Sequence, residues 1–205
     1  MDSNYSGMTY MAMSSVPNIV RRGAEGTSVI SLDDALMENR AVVINEEITS
    51  ETATTFFKVV NHLTKKREPI KVYIYSSGGS VTAGKAIYDI MQSCGVEVHT
   101  YCIGAAASMA AILLAAGTKG HRYILPHAEV MIHEVLVPGG VGGSATNIRK
   151  ISESIDATKQ VMNGILAKHT GKSIEEIDEA TSYDHFMTAE EAIEFGICDH
   201  IIESL

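Results

Sequence analysis

The sequence predicts an α/β fold: a mostly parallel sheet covered by helices, with a strand-helix extension that protrudes from the body. Three observations predict it. Short apolar runs alternate with helix-period stretches in β-α-β-α order, the pattern of a parallel sheet with crossover helices. The chain has 205 residues, 45% hydrophobic and 20% charged, enough for one domain with a substantial core. A glycine-rich stretch then leads into a helical pattern, residues 144–169, much longer than an ordinary helix.

The elements follow in order. Residues 1–15 are polar, Met-rich and without period, and read as a disordered or removable tail. Residues 16–31, with Arg21-Arg22-Gly23 and Gly26, read as a mobile loop. Ala41-Val42-Val43-Ile44 reads as a strand. Thr49 can cap a helix whose apolar positions Ala53, Phe56, Val60 and Leu63 keep helical spacing, and Lys65, Lys66 and Arg67 suit its C-terminal dipole. Residues 70–75 form a strand, Ser76-Ser77-Gly78-Gly79-Ser80 a turn, and a helix runs to Cys94, where Gly95 stops it. The run Val98 to Gly104 is a buried strand, and Ala111 to Ala116 a helix. Residues 121–125 and 129–133 read as two more strands. The long helix carries one narrow apolar stripe, Ile148, Ile151, Ile155, Met162 and Leu166, and Gly171 stops it. A helix of roughly 25 residues is about 38 Å long. Such a helix projects and buries its stripe against another chain; the plainer alternative is a helix lying across its own sheet. Thr188 with Glu191 forms a capping box for a last short helix, and residues 198–202 form a final strand. There is no internal repeat.

Composition excludes several functions. A net charge of -9 argues against a nucleic-acid or anionic-membrane surface. No apolar run approaches a membrane span, and the start has neither a basic nor an apolar leader region. Cys94, Cys102 and Cys198 are an odd set without metal spacing, so reduced thiols in the cytoplasm are expected, with no metal or cofactor.

Chemistry concentrates at Ala106-Ala107-Ser108-Met109-Ala110. A serine at a strand-to-helix turn, with small residues two before and two after, has the layout of a nucleophile elbow. The helix N-terminus beside it offers free N–H groups to developing negative charge. The plainer alternative is a serine cap on an Ala-rich helix. A serine nucleophile needs a base and an oxyanion hole. Of eight histidines, His133 is weakly favoured because it ends an apolar strand before a glycine-bearing loop. Asp178, Asp184 and Asp199 stay open as the third member. Gly78-Gly79 can present backbone N–H groups to an oxyanion, although a plain turn is its commoner use. Residues 140–145 fit G-x-G-x-x-A, but the long helix fills the length of a dinucleotide-binding unit and no apolar strand follows, so nucleotide binding is rejected. No G-x-x-x-x-G-K-[ST] occurs either.

With these segments placed, the chain resembles the proteolytic subunits of the Clp protease (ClpP) from Val16 to Ile202. Four stretches carry the resemblance: Tyr75 to Gly84; Gly104 to Ala111; Pro126 to His133; and Tyr183 to Ala192 with Phe195-Gly196. It implies the ClpP/crotonase fold and a serine endopeptidase with Ser108 as nucleophile, His133 as general base and Asp184 as the acid that orients it. Gly79 and Met109 match the backbone N–H donors of the oxyanion hole. The resemblance further implies a propeptide, residues 1–13, cut between Met13 and Ser14, and an axial loop at 14–31. A peptidase domain at 32–205 follows, whose handle, about 134–170, binds substrate as an added strand and joins rings. Its partners would be unfolded polypeptides and an AAA+ Clp ATPase, and its assembly two stacked seven-membered rings.

Three positions depart from the family pattern. Ser182-Tyr183 stand where Asp-Arg usually precedes the catalytic aspartate, Glu134-Val135 where Gln-Pro usually follows the histidine, and Ser77 where proline precedes Gly-Gly. They fit a divergent second paralogue working with another Clp subunit, and leave open a weakly active structural or regulatory subunit of a mixed assembly. A crotonase-like acyl-CoA enzyme shares the backbone oxyanion hole but gives no reason for Ser108, His133 and Asp184 together.

Overall fold

A computed structural model describes residues 18–23, 26–137 and 139–205. The expected propeptide and residues 14–17 of the expected axial loop lie outside them. The chain divides into two compact units, one ending at Asn39 and the other Arg40–Leu205.

In the first unit, β1 (Ile19–Gly23) pairs antiparallel with β2 (Gly26–Ile30), in the register Ile19↔Ile30. This hairpin stands where the sequence reads as a loop. Its strands are five residues each, too short to show a period, yet β-branched residues at 19, 20, 27, 29 and 30 favour an extended backbone. Helix α1 (Leu32–Glu38) follows, opened by a capping box between Ser31 and Asp34.

The second unit holds the sheet. Its central path is β3 (Ala41–Ile44), β4 (Ile70–Ser76), β5 (Val98–Ala107), β6 (Arg122–Ile124) and β9 (His200–Ile201), each pair parallel. Beyond β6, β5 also pairs in parallel with β7 (Glu129–Ile132). Strand β7 in turn pairs antiparallel with β8 (His185–Met187). Helices α2 (Ser50–Leu63), α3 (Val81–Ser93) and α4 (Met109–Ala115) are the crossovers that parallel pairing requires. The core is aliphatic: Ile44, Ile70, Ile74, Leu113, Leu114 and Ile124 are each 1% exposed or less.

Strand β5 outruns its sequence-expected end at Gly104. Its register with β4 steps from Ile74↔Cys102 to Ser76↔Ala106, an irregularity that Gly104 accommodates at φ +121° with the Tyr75 ring against it. The extra residues carry the strand to Ala107, so the turn falls on Ser108 itself.

Helix α5 (Ala145–Thr170) has 26 residues, about 39 Å. Only Met162, Asn163 and Leu166 are buried, all in its second half, while Ile148 is 43% exposed. In the first half Ile148 is exposed while Ile151 and Ile155 are half-buried beside Val81 and Leu136, so the stripe there is only partly covered. Helices α6 (Ile174–Thr181) and α7 (Ala189–Phe195) complete the unit. The sequence reading omits α1, α6 and β8, of seven, eight and three residues, all too short for clear periodicity.

Candidate active site

Ser108 sits between β5 and α4 with φ +54° and ψ −122°. Among the described residues only Arg40 and Ser108 are non-glycine residues with positive φ. Such backbone costs on the order of 1–3 kcal/mol and persists where surrounding structure imposes it. Here the Ser108 N–H donates to the Met131 carbonyl at 2.8 Å, locking the turn to β7.

The alternative of a capping serine can be tested directly. Ser31, Thr49, Ser80, Ser144, Ser173 and Thr188 each accept a hydrogen bond from the third N–H of their helix. Ser108 makes no such bond. Its hydroxyl is thus not engaged in capping the helix it precedes.

The Gly78-Gly79 turn packs directly under this elbow. A Cβ at Gly78 would lie 2.7 Å from the Ala107 carbonyl oxygen and 2.8 Å from the Ser108 Cβ, so no side chain fits. On its other side the turn is tied to Ile48, whose N–H donates to the Gly78 carbonyl at 2.7 Å and whose carbonyl accepts from Ser80 at 2.8 Å. That pairing skips the Gly79 N–H, and the Met109 N–H is the first of its helix. Among the described residues neither N–H has an acceptor.

His133 immediately follows β7. The antiparallel register Ile132↔His185 carries one step further to bring Asp184 opposite His133. The Asp184 Oδ1 lies 4.0 Å from the His133 Nδ1, beyond a hydrogen bond, and that buried Nδ1 has no other partner. The other two aspartates are engaged elsewhere. Asp178 binds the Lys159 ammonium at 2.8 Å and accepts from the Asn163 amide at 3.1 Å, and Asp199 is paired with Arg122.

Ser108, Met109, Gly79 and His133 line one cavity of about 600 Å³. Asp184 does not line it; it stands behind the imidazole. Ile112, Met131, Leu136, Met162 and Leu166 give the cavity an apolar wall. None of the three cysteines lines this cavity, and burial pushes the Cys102 thiol up to about 12 and chiefly raises Cys198 as well.

Glu134, next to His133, is not a free carboxylate. Lys159 pairs with it at 3.3 Å while also binding Asp178. The Asp178 hydrogen bond above all, and Glu134 after it, raise the Lys159 pKa against the opposing effect of burial. Sequence reasoning missed Lys159 and Asn163. The signal was present, because 159, 162, 163 and 166 share one helix face, so two polar residues interrupt the apolar stripe.

Residues 24–205 match the family described as Clp protease. The ATP-dependent Clp protease proteolytic subunit 2 of Chlamydia trachomatis serovar D (strain UW-3/Cx) is 42% identical over 194 residues, covering 94% of this chain and 95% of that protein. The protein of the same name from Chlamydia abortus (strain S26/3) is 41% identical over 196 residues, 95% of each chain.

Proposed function

The chain belongs to the Clp protease family, and from that premise we propose that this serine peptidase cuts peptide bonds with Ser108 as nucleophile, His133 as general base and Asp184 as the group that orients the base. The observation that carries this assignment is the Ser108 hydroxyl, left uncapped on a strained turn in the cavity that His133 lines.

The mechanism follows from the residues. A peptide carbonyl enters the cavity beside Ser108. His133 Nε2 takes the hydroxyl proton as the oxygen attacks, and the carbonyl oxygen becomes an anion. The N–H groups of Gly79 and Met109 meet that anion as preorganised donors. His133 returns the proton to the departing amine, and water then hydrolyses the acyl-enzyme by the same route. The Asp184 carboxylate closes on Nδ1 as the imidazole gains charge; hydrogen bonds of this kind are often long before substrate binds. The apolar wall accepts an apolar side chain of the substrate.

The wider reading is a proteolytic chamber in the cytoplasm. We infer two stacked seven-membered rings fed with unfolded polypeptide by an AAA+ Clp ATPase, after loss of residues 1–13. The partly covered stripe on the first half of α5, with Ile148 exposed, supports assembly with further subunits. The names of the relatives, both proteolytic subunits, speak against a merely structural role.

Ser108→Ala is the test. Peptide cleavage by the variant is expected to fall by about 10⁴-fold or more, with assembly mass unchanged. Cleavage at the wild-type rate sinks the assignment. The mass of the purified wild-type chain alone distinguishes a double ring of one subunit from an assembly that needs a second.

A further inference from the structure

Outside the cleft, one cluster of metal-ligating side chains has no part in peptide hydrolysis. We propose that Glu97, His99 and His121 bind a divalent transition-metal ion on the outer face of the sheet, with zinc as the best fit. The β5–β6 register Thr100↔Arg122 places His99 and His121 opposite each other on neighbouring strands. Val98, Thr100 and Cys102 point into the core, so alternation sends His99 outward, with Glu97 two residues before it on the same side. One ligand atom from each of the three lies within 4.8 Å of the others. The His99 Nε2 already meets the Glu97 Oε2 at 3.1 Å, and the two imidazole rings stack at 4.1 Å.

The ligand chemistry is specific. Two imidazoles and a carboxylate are a ligand set of zinc sites that keep one position for water. Zinc–ligand bonds of about 2.0–2.2 Å put tetrahedral ligand atoms about 3.3 Å apart. Binding requires one imidazole to turn out of the stack, since parallel rings cannot both aim a nitrogen lone pair at one ion. The Tyr123 hydroxyl, 3.1 Å from the His121 Nδ1, holds that ring as a metal-bound histidine is usually held, from its other nitrogen. Glu97 is exposed and both histidines are partly exposed, so an ion enters from solvent. Two cations flank the cluster, Lys71 opposite His99 on β4 and Lys119 two residues before His121, and both are exposed and free to extend into water. The site lies at the amino end of β5, opposite the end that carries Ser108. A bound ion therefore clamps β5 to β6 without entering the catalytic cleft.

Zinc sulfate titrated calorimetrically into the untagged full-length protein tests this, with thermal melts at rising zinc. The expected result is one zinc per chain at micromolar affinity and a melting temperature that rises with occupancy. Glu97→Gln should weaken binding about tenfold or more, and His99→Asn with His121→Asn should abolish it. Cobalt bound in place of zinc should show d–d absorption without a thiolate charge-transfer band, which excludes Cys94 as the ligand. Should the double variant fail to fold, each single histidine variant must still weaken zinc binding at least tenfold. Unchanged stoichiometry and affinity in these variants, or no saturable binding at millimolar zinc, overturns the proposal.

Discussion

Two aspartates in this chain stand beside a nitrogen base, and they are held in opposite ways. Asp199 accepts from the Arg122 guanidinium at 2.5 and 2.8 Å and from the N–H groups of Gly120 and Arg122 at 2.8 and 3.1 Å. Arg122 gives its remaining donors to the carbonyls of Ala115, His169 and Gly196, and its side chain is 4% exposed. Asp184 is 66% exposed and stops 4.0 Å short of His133. The first pair is closed: each guanidinium nitrogen donates to an oxygen, and it ties the ends of α4, α5 and α7 to β6. The second pair is open, as the proposed mechanism requires of an imidazole that gains and loses a proton in every turnover. A permanent ion pair is built for one charge state, and a catalytic one has to serve two.

The comparison can be broken at either pair. Asp184→Asn should lower kcat by about 10⁴-fold, as loss of the orienting carboxylate does in this chemistry, while thermal stability stays near wild type. A variant that melts early instead would mean Asp184 is structural. Asp199→Asn leaves the buried Arg122 charge uncompensated and should cost about 3–5 kcal/mol of stability in urea unfolding. Wild-type stability in that variant would show that the closed pair contributes nothing.

Acidity sharpens the contrast further. Burial opposes the charge on Asp199, but the Arg122 hydrogen bonds and charge, with the N–H groups of Gly120 and Arg122, outweigh it and hold its carboxyl below the ordinary range. Its stabilisation is full above the unfolded value, about 3.9, and is lost as pH falls through the lower folded value. Burial first, then Lys168 and Arg122, lower His169 to about 4. The folded chain keeps that imidazole neutral where the unfolded chain binds a proton. Its contribution is therefore full above about 6.5 and is lost as pH falls toward about 4. Melting temperatures from pH 7 to pH 4 should fall less steeply in His169→Gln than in wild type; parallel curves would contradict this. The smallest effect belongs to the cleft rim. Lys159→Met frees the Glu134 carboxylate beside His133, and the acid limb of the pH–rate profile should move to higher pH. An unmoved profile would show that Glu134 faces away.

The sheet strands were legible because each is a short apolar run, and Ser108 because the elbow is local. Thr49 and Thr188 were legible as caps from a spacing of three. The hairpin β1–β2, helices α1 and α6 and strand β8 were not, since three to eight residues without a dense apolar run carry no usable period. Asp184 could not be chosen from periodicity, because its nearness to His133 depends on a register between strands about fifty residues apart in sequence. The resemblance named it before any geometry did. Arg122 and Asp199 are 77 residues apart, and no local pattern announces a buried pair made across that distance.

Strand β8 gives the open pair a further consequence. It is three residues long, its one partner is β7 across the only antiparallel seam of the described sheet, and Phe186 at its centre is 62% exposed. Ser108, by contrast, is fixed between β5 and β7 inside the sheet. Fraying of a short edge costs little free energy compared with opening a core strand. Amide hydrogens of β8 should thus exchange with solvent well before those of β5. On the proposed assignment such fraying carries Asp184 away and idles catalysis, while Ser108 and its turn stay folded and ready to resume when the edge closes.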